Sequence, residues 1–219
     1  MDQIEYRADP RQQSRNLIIL MPGAGETHEG FAQFGFIDEA RKAFIDADIL
    51  TVHSHYGYFT EMTVREAIHH DVVLPAKARG YESIWMGGIS LGGFGSLIYA
   101  ERYASQLKGL ILIAPYLGNR GTYAEIEKAG GLDGWQPDGV TEFDERKVWV
   151  MIKNYQSKIS ALPIHLLYGK QDRFAPFHQL LAQRLAADTV IEVEGGHDWP
   201  TWQALWRQFT VKNSGIFLC

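Results

Sequence analysis

"SIWMGGISLGGFGSLIYA", residues 83–100, sets Ser90 among five glycines. The run before Ser90 has the length and branched content of a buried strand. The run after it carries Phe94, Leu97, Ile98 and, further on, Tyr103 at the spacing of a helix face. The order is therefore strand, tight turn, helix. A serine at the apex of so sharp a turn holds a strained backbone that lifts its hydroxyl clear, and the residues two positions to either side are pressed together. Gly88 and Gly92 occupy those two positions. The helix that follows points amide N–H groups and its positive dipole end at the serine, where a developing oxyanion would be stabilised.

Working outward, five more apolar runs read as strands: 16–22, 47–54, 107–115, 161–169 and 188–195, which with 81–88 makes six. Helix-period segments separate them, including Phe36, Ile37, Ala40, Ala43 and Phe44, and later Phe177, Leu180, Leu181 and Leu185. Strands buried on both faces and joined by helices predict an α/β fold, a three-layer α/β/α sandwich on a mostly parallel sheet of about six strands. In such sheets, ligands lie beyond the carboxyl ends of the strands. Residues 1–219 are expected to form one domain. The rhythm breaks at 116–160, which is rich in glycine and charge and too long for a plain crossover. A crossover helix is expected within 144–157, and the remainder as an irregular excursion or small cap over one end of the sheet.

A serine hydroxyl needs a base within hydrogen-bond reach, itself oriented by an acid. Downstream strand ends supply both: "LLYGKQDRFAP" places Asp172 just past a strand, and "IEVEGGHDWP" places His197 in the loop after the last one. Asp198 adjoins His197 but points away along the backbone, and Asp144 and Asp188 are the fallback acids. The rival reading, a dinucleotide site, fares poorly. "GGISLGGFG" lacks the Lys-Ser/Thr ending of a phosphate loop, and no acid ends the next strand to hold a ribose.

With "IILMPGAG", "GGISLGG", "LLYGKQDRFAP" and "GGHDWPTW" in the order Ser90, Asp172, His197, nearly the whole chain resembles the α/β-hydrolase family, among its small esterase-like members. That resemblance implies Ser90 as nucleophile, His197 as general base and acid, and Asp172 as the residue orienting the imidazole. It implies an oxyanion hole from the backbone N–H of Leu91 and of Ala24, with Gly25 as the alternative to Ala24. The chain departs from the pattern in two places. Pro22-Gly23 stands where the family has His-Gly, and the N-terminus is too short for two leading antiparallel strands, so a trimmed sheet is expected.

The expected activity is a serine hydrolase cleaving carboxylic esters of small to medium acyl groups through an acyl-enzyme, with thioesters open to the same chemistry. The alternatives are acyl transfer on the same triad, separable by product analysis with added acceptors, and a non-catalytic binding protein on a hydrolase scaffold. Tyr56, Tyr116 and Trp199 are the candidate pocket residues, with Tyr58, Phe59 and Trp135 as further candidate walls. Residues 53–62 and 116–160 are the segments expected to build the pocket. His53 and His55 read as pocket or structural residues rather than metal ligands, and no metal or other cofactor is expected. His69, His70 and Asp71 read as a polar helix face, and Trp202, Leu205, Trp206 and Phe209 as packing against the sheet.

The net charge of -5, from 26 acidic and 21 basic residues without a basic block, disfavours nucleic acid and anionic membrane as partners; a small-molecule ester is the expected one. No apolar run approaches the ~20 residues that span a bilayer. The single cysteine, Cys219, cannot form an internal disulfide. The N-terminus lacks the order of a secretory signal, so a cytoplasmic location is expected, although a trimmed periplasmic form would share these features. The sequence leaves the oligomeric state open.

Overall fold

In a computed structural model of the chain, which describes residues 1–141, 144–155 and 162–217, the strands are β1 (Gln3–Tyr6), β2 (Asn16–Met21), β3 (Asp48–Val52), β4 (Ser83–Ile89), β5 (Gly109–Ile113), β6 (Ile164–Gly169) and β7 (Val190–Val193). They form one sheet in the order β1-β3-β2-β4-β5-β6-β7, with β1 antiparallel to β3 and every other pair parallel. All six predicted strands are present. The seventh, β1, is a short edge strand whose residues are half-buried or exposed, so it carries no apolar run to betray it. It is a single leading antiparallel strand, at an N-terminus too short for two.

The helices are α1 (Gly30–Gln33), α2 (Phe36–Lys42), α3 (Tyr56–Thr60), α4 (Val64–Ala67), α5 (Leu74–Ala78), α6 (Leu91–Tyr103), α7 (Arg120–Lys128), α8 (Arg146–Lys153), α9 (Ala175–Ala182) and α10 (Trp199–Asn213), with a π-helical segment, Ile68–Val73, joining α4 to α5. Alternation along the strands sorts them into two layers. Leu17, Ile19, Met21, Ile84 and Met86 point to a core shared with α4 to α9. Ile18, Leu20, Trp85 and Ile89 point to a second core, filled by Phe31 and Phe36 from the N-terminal helices and by Trp202, Leu205, Trp206 and Phe209 of α10. The aromatic stripe of α10 is thus packing, as its spacing predicted. Among the described residues, no helix is long and apolar enough to cross a membrane.

Two local expectations are corrected. Phe44 does not lie on the face of α2: it is 86% exposed at φ 55°, with Phe44 N–H donating to Arg41 O and Ile45 N–H to Ala40 O. That pair of bonds ends a helix in a left-handed residue, a place usually taken by glycine. Within 116–160, the crossover helix falls inside the predicted window as α8. A second helix, α7, was not foreseen; the Asn119 side chain starts it by accepting from the Gly121 (2.8 Å) and Thr122 (3.1 Å) amides. Residues 142–143 and 156–160 of that segment, like Cys219, lie outside the described residues.

Buried histidines make the fold acid-sensitive. Burial is the main cause holding His165 on β6 and His178 on α9 at about 4, below the ordinary value of 6.5. Both therefore fold neutral, and their contribution is complete above pH 6.5 and lost as the pH falls toward 4. Linkage sets it at about 3 kcal/mol for each ring. Urea unfolding at pH 7 and at pH 4.5 should show this loss, and His165→Phe, set among Trp85 and Phe209, should flatten the slope. An unchanged slope would place the sensitivity elsewhere.

Candidate active site

Parallel pairing of β2 with β4 sets Met21 beside Gly88, so the loop after β2 and the turn after β4 emerge side by side. Ser90 occupies that turn at φ 51°, ψ -110°, a conformation L-residues rarely adopt. Its amide donates to Ile113 O (3.0 Å), while its carbonyl accepts from the Phe94 (3.1 Å) and Tyr116 (2.9 Å) amides. The two glycines are obligatory for a visible reason. A Cβ on Gly92 would lie 2.1 Å from Met21 O, and one on Gly88 would lie 2.6 Å from the Gly92 backbone. Leu91 is the first residue of α6, where helix geometry leaves amides without intrahelical acceptors.

The loop after β2 turns directly over the serine. Gly23 approaches so closely that a Cβ on it would lie 3.5 Å from Ser90 Cβ. Glu26 N–H donates to Gly23 O (3.2 Å) and Gly25 sits at φ 79°, which closes a tight turn around exposed Ala24. Behind this turn, the Trp199 indole N–H donates to Glu26 Oε2 (3.1 Å).

Asp172 and His197 arrive from β6 and β7. Their loops are laced together: Lys170 N–H donates to Val193 O and Gln171 N–H to Gly195 O, each at 2.9 Å. The outcome is a 2.7 Å contact between His197 Nδ1 and Asp172 Oδ2, with the aspartate side chain fully buried and the imidazole 14% exposed. Asp172 Oδ1 accepts from the Phe174 amide (2.8 Å). Burial by itself would push the Asp172 carboxyl up. The hydrogen bonds from His197 and the Phe174 amide outweigh it and hold the group below its usual range. Phe174 and Trp202 meet the His197 ring edge-on at 5.3 and 5.1 Å and fix its plane.

Aromatic rings connect this pair to the serine loop. Phe174 packs on Tyr116 (5.8 Å), the residue whose amide bonds Ser90 O. His178 props the same stretch: its Nε2 meets Pro115 O at 2.9 Å, so that nitrogen carries the proton. The clamp of Phe174 and Trp202 and the prop of His178 escaped the sequence reading, since nothing in their spacing separates them from core residues.

Other candidates disperse. Asp198 starts α10 by accepting from the Thr201 amide (3.0 Å), Asp144 pairs with Arg146, and Asp188 precedes β7 at its opposite end. Tyr56 is 63% exposed, Tyr58 packs against His55, and Trp135 is buried in the core. Trp199 lies in the second core among Phe31, Phe34 and Phe36. His55 caps α3 by accepting from the Gly57 amide (3.1 Å), and His53 stacks on His28. His69 stacks on Tyr103 rather than facing solvent. Among the described residues, no group of three or more His, Cys, Asp or Glu is arranged to hold a metal.

A family model described as "Putative esterase" matches residues 54–209, well over half of the chain. The chain belongs to that esterase family. No curated protein sequence matches this esterase. Among solved structures, it is similar to Est1E from Butyrivibrio proteoclasticus at TM-score 0.66 and 18% identity, covering 98% of this chain and 92% of that one. It is similar to a monoacylglycerol lipase of Paleococcus ferrophilus at 0.66 and 16%, covering 99% of each. It is also similar to an S-formylglutathione hydrolase from Staphylococcus aureus at 0.60 and 13%, covering 92% and 82%. The fold is a trimmed α/β-hydrolase fold, and the family makes the chain an enzyme of the esterase class.

Proposed function

We propose that this esterase hydrolyses carboxylic esters of small to medium acyl groups through an acyl-enzyme on Ser90. The observation that carries the reading is the 2.7 Å bond from His197 Nδ1 to Asp172, formed at the same end of the sheet as the strained Ser90 turn. A buried carboxylate on Nδ1 keeps the proton there and leaves Nε2 as the base. Nε2 takes the Ser90 proton as Oγ attacks the carbonyl, then returns it to the leaving alcohol. Water, deprotonated by the same nitrogen, releases the acid and restores Ser90. The oxyanion is received by the amides of Leu91 and Ala24, each such donor being worth about 10² to 10³ in turnover. Thioesters pass through the same steps. Residues 116–141, before the crossover helix α8, serve as a small cap on this single domain.

The test is a fluorophosphonate probe followed by peptide mapping. Label is expected on Ser90 alone and absent from Ser90→Ala. Label on another residue, or none at all, would remove the mechanism.

A further inference from the structure

Beside the Ser90 turn lies a cavity of about 320 Å³ between α3, α6 and the start of α8. Its apolar walls are Phe59, Met62, Val64, Phe94, Ile98 and Val148. Phe94 stands one helical turn beyond Ser90 and packs edge-on against Tyr116 at 5.4 Å. The Tyr116 hydroxyl donates to Glu145 (2.9 Å), which also lines the cavity. Tyr116 therefore touches both the cavity wall and the catalytic loops. Phe94, Ile98 and Glu101 recur along one face of α6, so the cavity follows the helix away from Ser90 for about 10 Å. An octanoyl chain, at about 1.5 Å per carbon–carbon bond before the zigzag shortens it, matches that length.

The cations around this space are paired with carboxylates of the protein. Glu101 pairs with Arg65 (3.6 Å) and Lys147 (3.4 Å), Asp144 pairs with Arg146, and Glu145 accepts from Tyr116 and Asn119. An anionic ligand group would find both lining cations, Arg65 and Lys147, already paired with Glu101 and would lose its water. At the mouth, Met62 holds a left-handed backbone at φ 58° and is 52% exposed, an adaptable thioether kept at the entrance at a conformational cost.

We infer that this cavity binds the acyl chain of the substrate, and that the chain is apolar, free of anionic groups and of medium length. The proposal rests on the reading of Ser90 as nucleophile only for the direction in which the ester lies; occupancy of the cavity is testable without turnover. Binding of methyl octanoate and methyl acetate to the Ser90→Ala protein is to be followed by calorimetry. Each buried methylene is worth about fourfold, so the octanoate should bind at least tenfold more tightly. The methyl half-ester of octanedioic acid, whose chain ends in a carboxylate, should bind at least tenfold more weakly than the octanoate. Filling the space with Ile98→Phe should remove most of the octanoate advantage, and Ile98→Ala, which leaves more room, should keep it; thermal midpoints verify that both variants fold. Equal binding of octanoate and acetate, equal binding of the charged chain, or an octanoate advantage untouched by Ile98→Phe would overturn the proposal. Loss of hydrolysis or of fluorophosphonate labelling with this binding pattern intact would instead overturn the nucleophile assignment.

Discussion

Ser90→Ala should lower kcat for a simple ester such as p-nitrophenyl butyrate by about 10⁶-fold, the size of effect that removal of a serine nucleophile has in a triad working as a unit. What remains comes from binding and from the oxyanion donors, which the substitution leaves in place. Stability separates this from unfolding. Alanine keeps a Cβ at φ 51°, so the strain of the turn persists and the thermal midpoint should hardly move. Ser90→Gly, which relaxes that backbone, should be more stable than Ser90→Ala by about 1 kcal/mol and equally inactive. A Ser90→Ala protein with wild-type turnover would end the account of this site, whatever its stability.

Asp172→Asn is the second large effect, with turnover reduced by about 10⁴-fold and the fold retained. The amide is isosteric, and its oxygen still accepts from the Phe174 amide. Its NH₂, however, faces His197 Nδ1, which must then become the acceptor, moving the imidazole proton to Nε2. That nitrogen no longer takes a proton from Ser90. Steady-state kcat/KM measured beside a thermal melt distinguishes this from misfolding. Near-normal turnover would transfer the acid role to another carboxylate, although Asp198 is committed to capping α10 and Asp144 to Arg146.

Both effects depend on features of different reach along the chain. The Ser90 turn was legible because its cause is local. An apolar run, glycines at both positions two residues from the serine and a helix-period run after it constrain a dozen neighbouring residues, and the crowding of Gly88 and Gly92 against Met21 is the contact such a turn demands. The strands β2 to β6 were legible for a related reason, since burial on both faces requires uninterrupted apolar runs. β1 was not, because an edge strand with one exposed and three half-buried residues needs none. α7 was hidden among turn-forming residues, since the burial of Thr122 and Ile126 that supports it comes from packing on other parts of the chain.

By itself the sequence determined the α/β class, the position of the tight Ser90 turn and the chain order Ser90, Asp172, His197, all of which follow from patterns within single loops and their flanking elements. Only the tertiary structure decided which aspartate reaches His197, that Phe174 and Trp202 hold the ring, and that Phe59, Phe94, Ile98 and Val148 enclose one cavity while Trp135 and Trp199 go to the cores. Those outcomes are contacts between residues distant in the chain, set by strand order and side-chain packing. An aspartate in a turn or an aromatic on a helix looks the same in sequence whether it meets the site or the core.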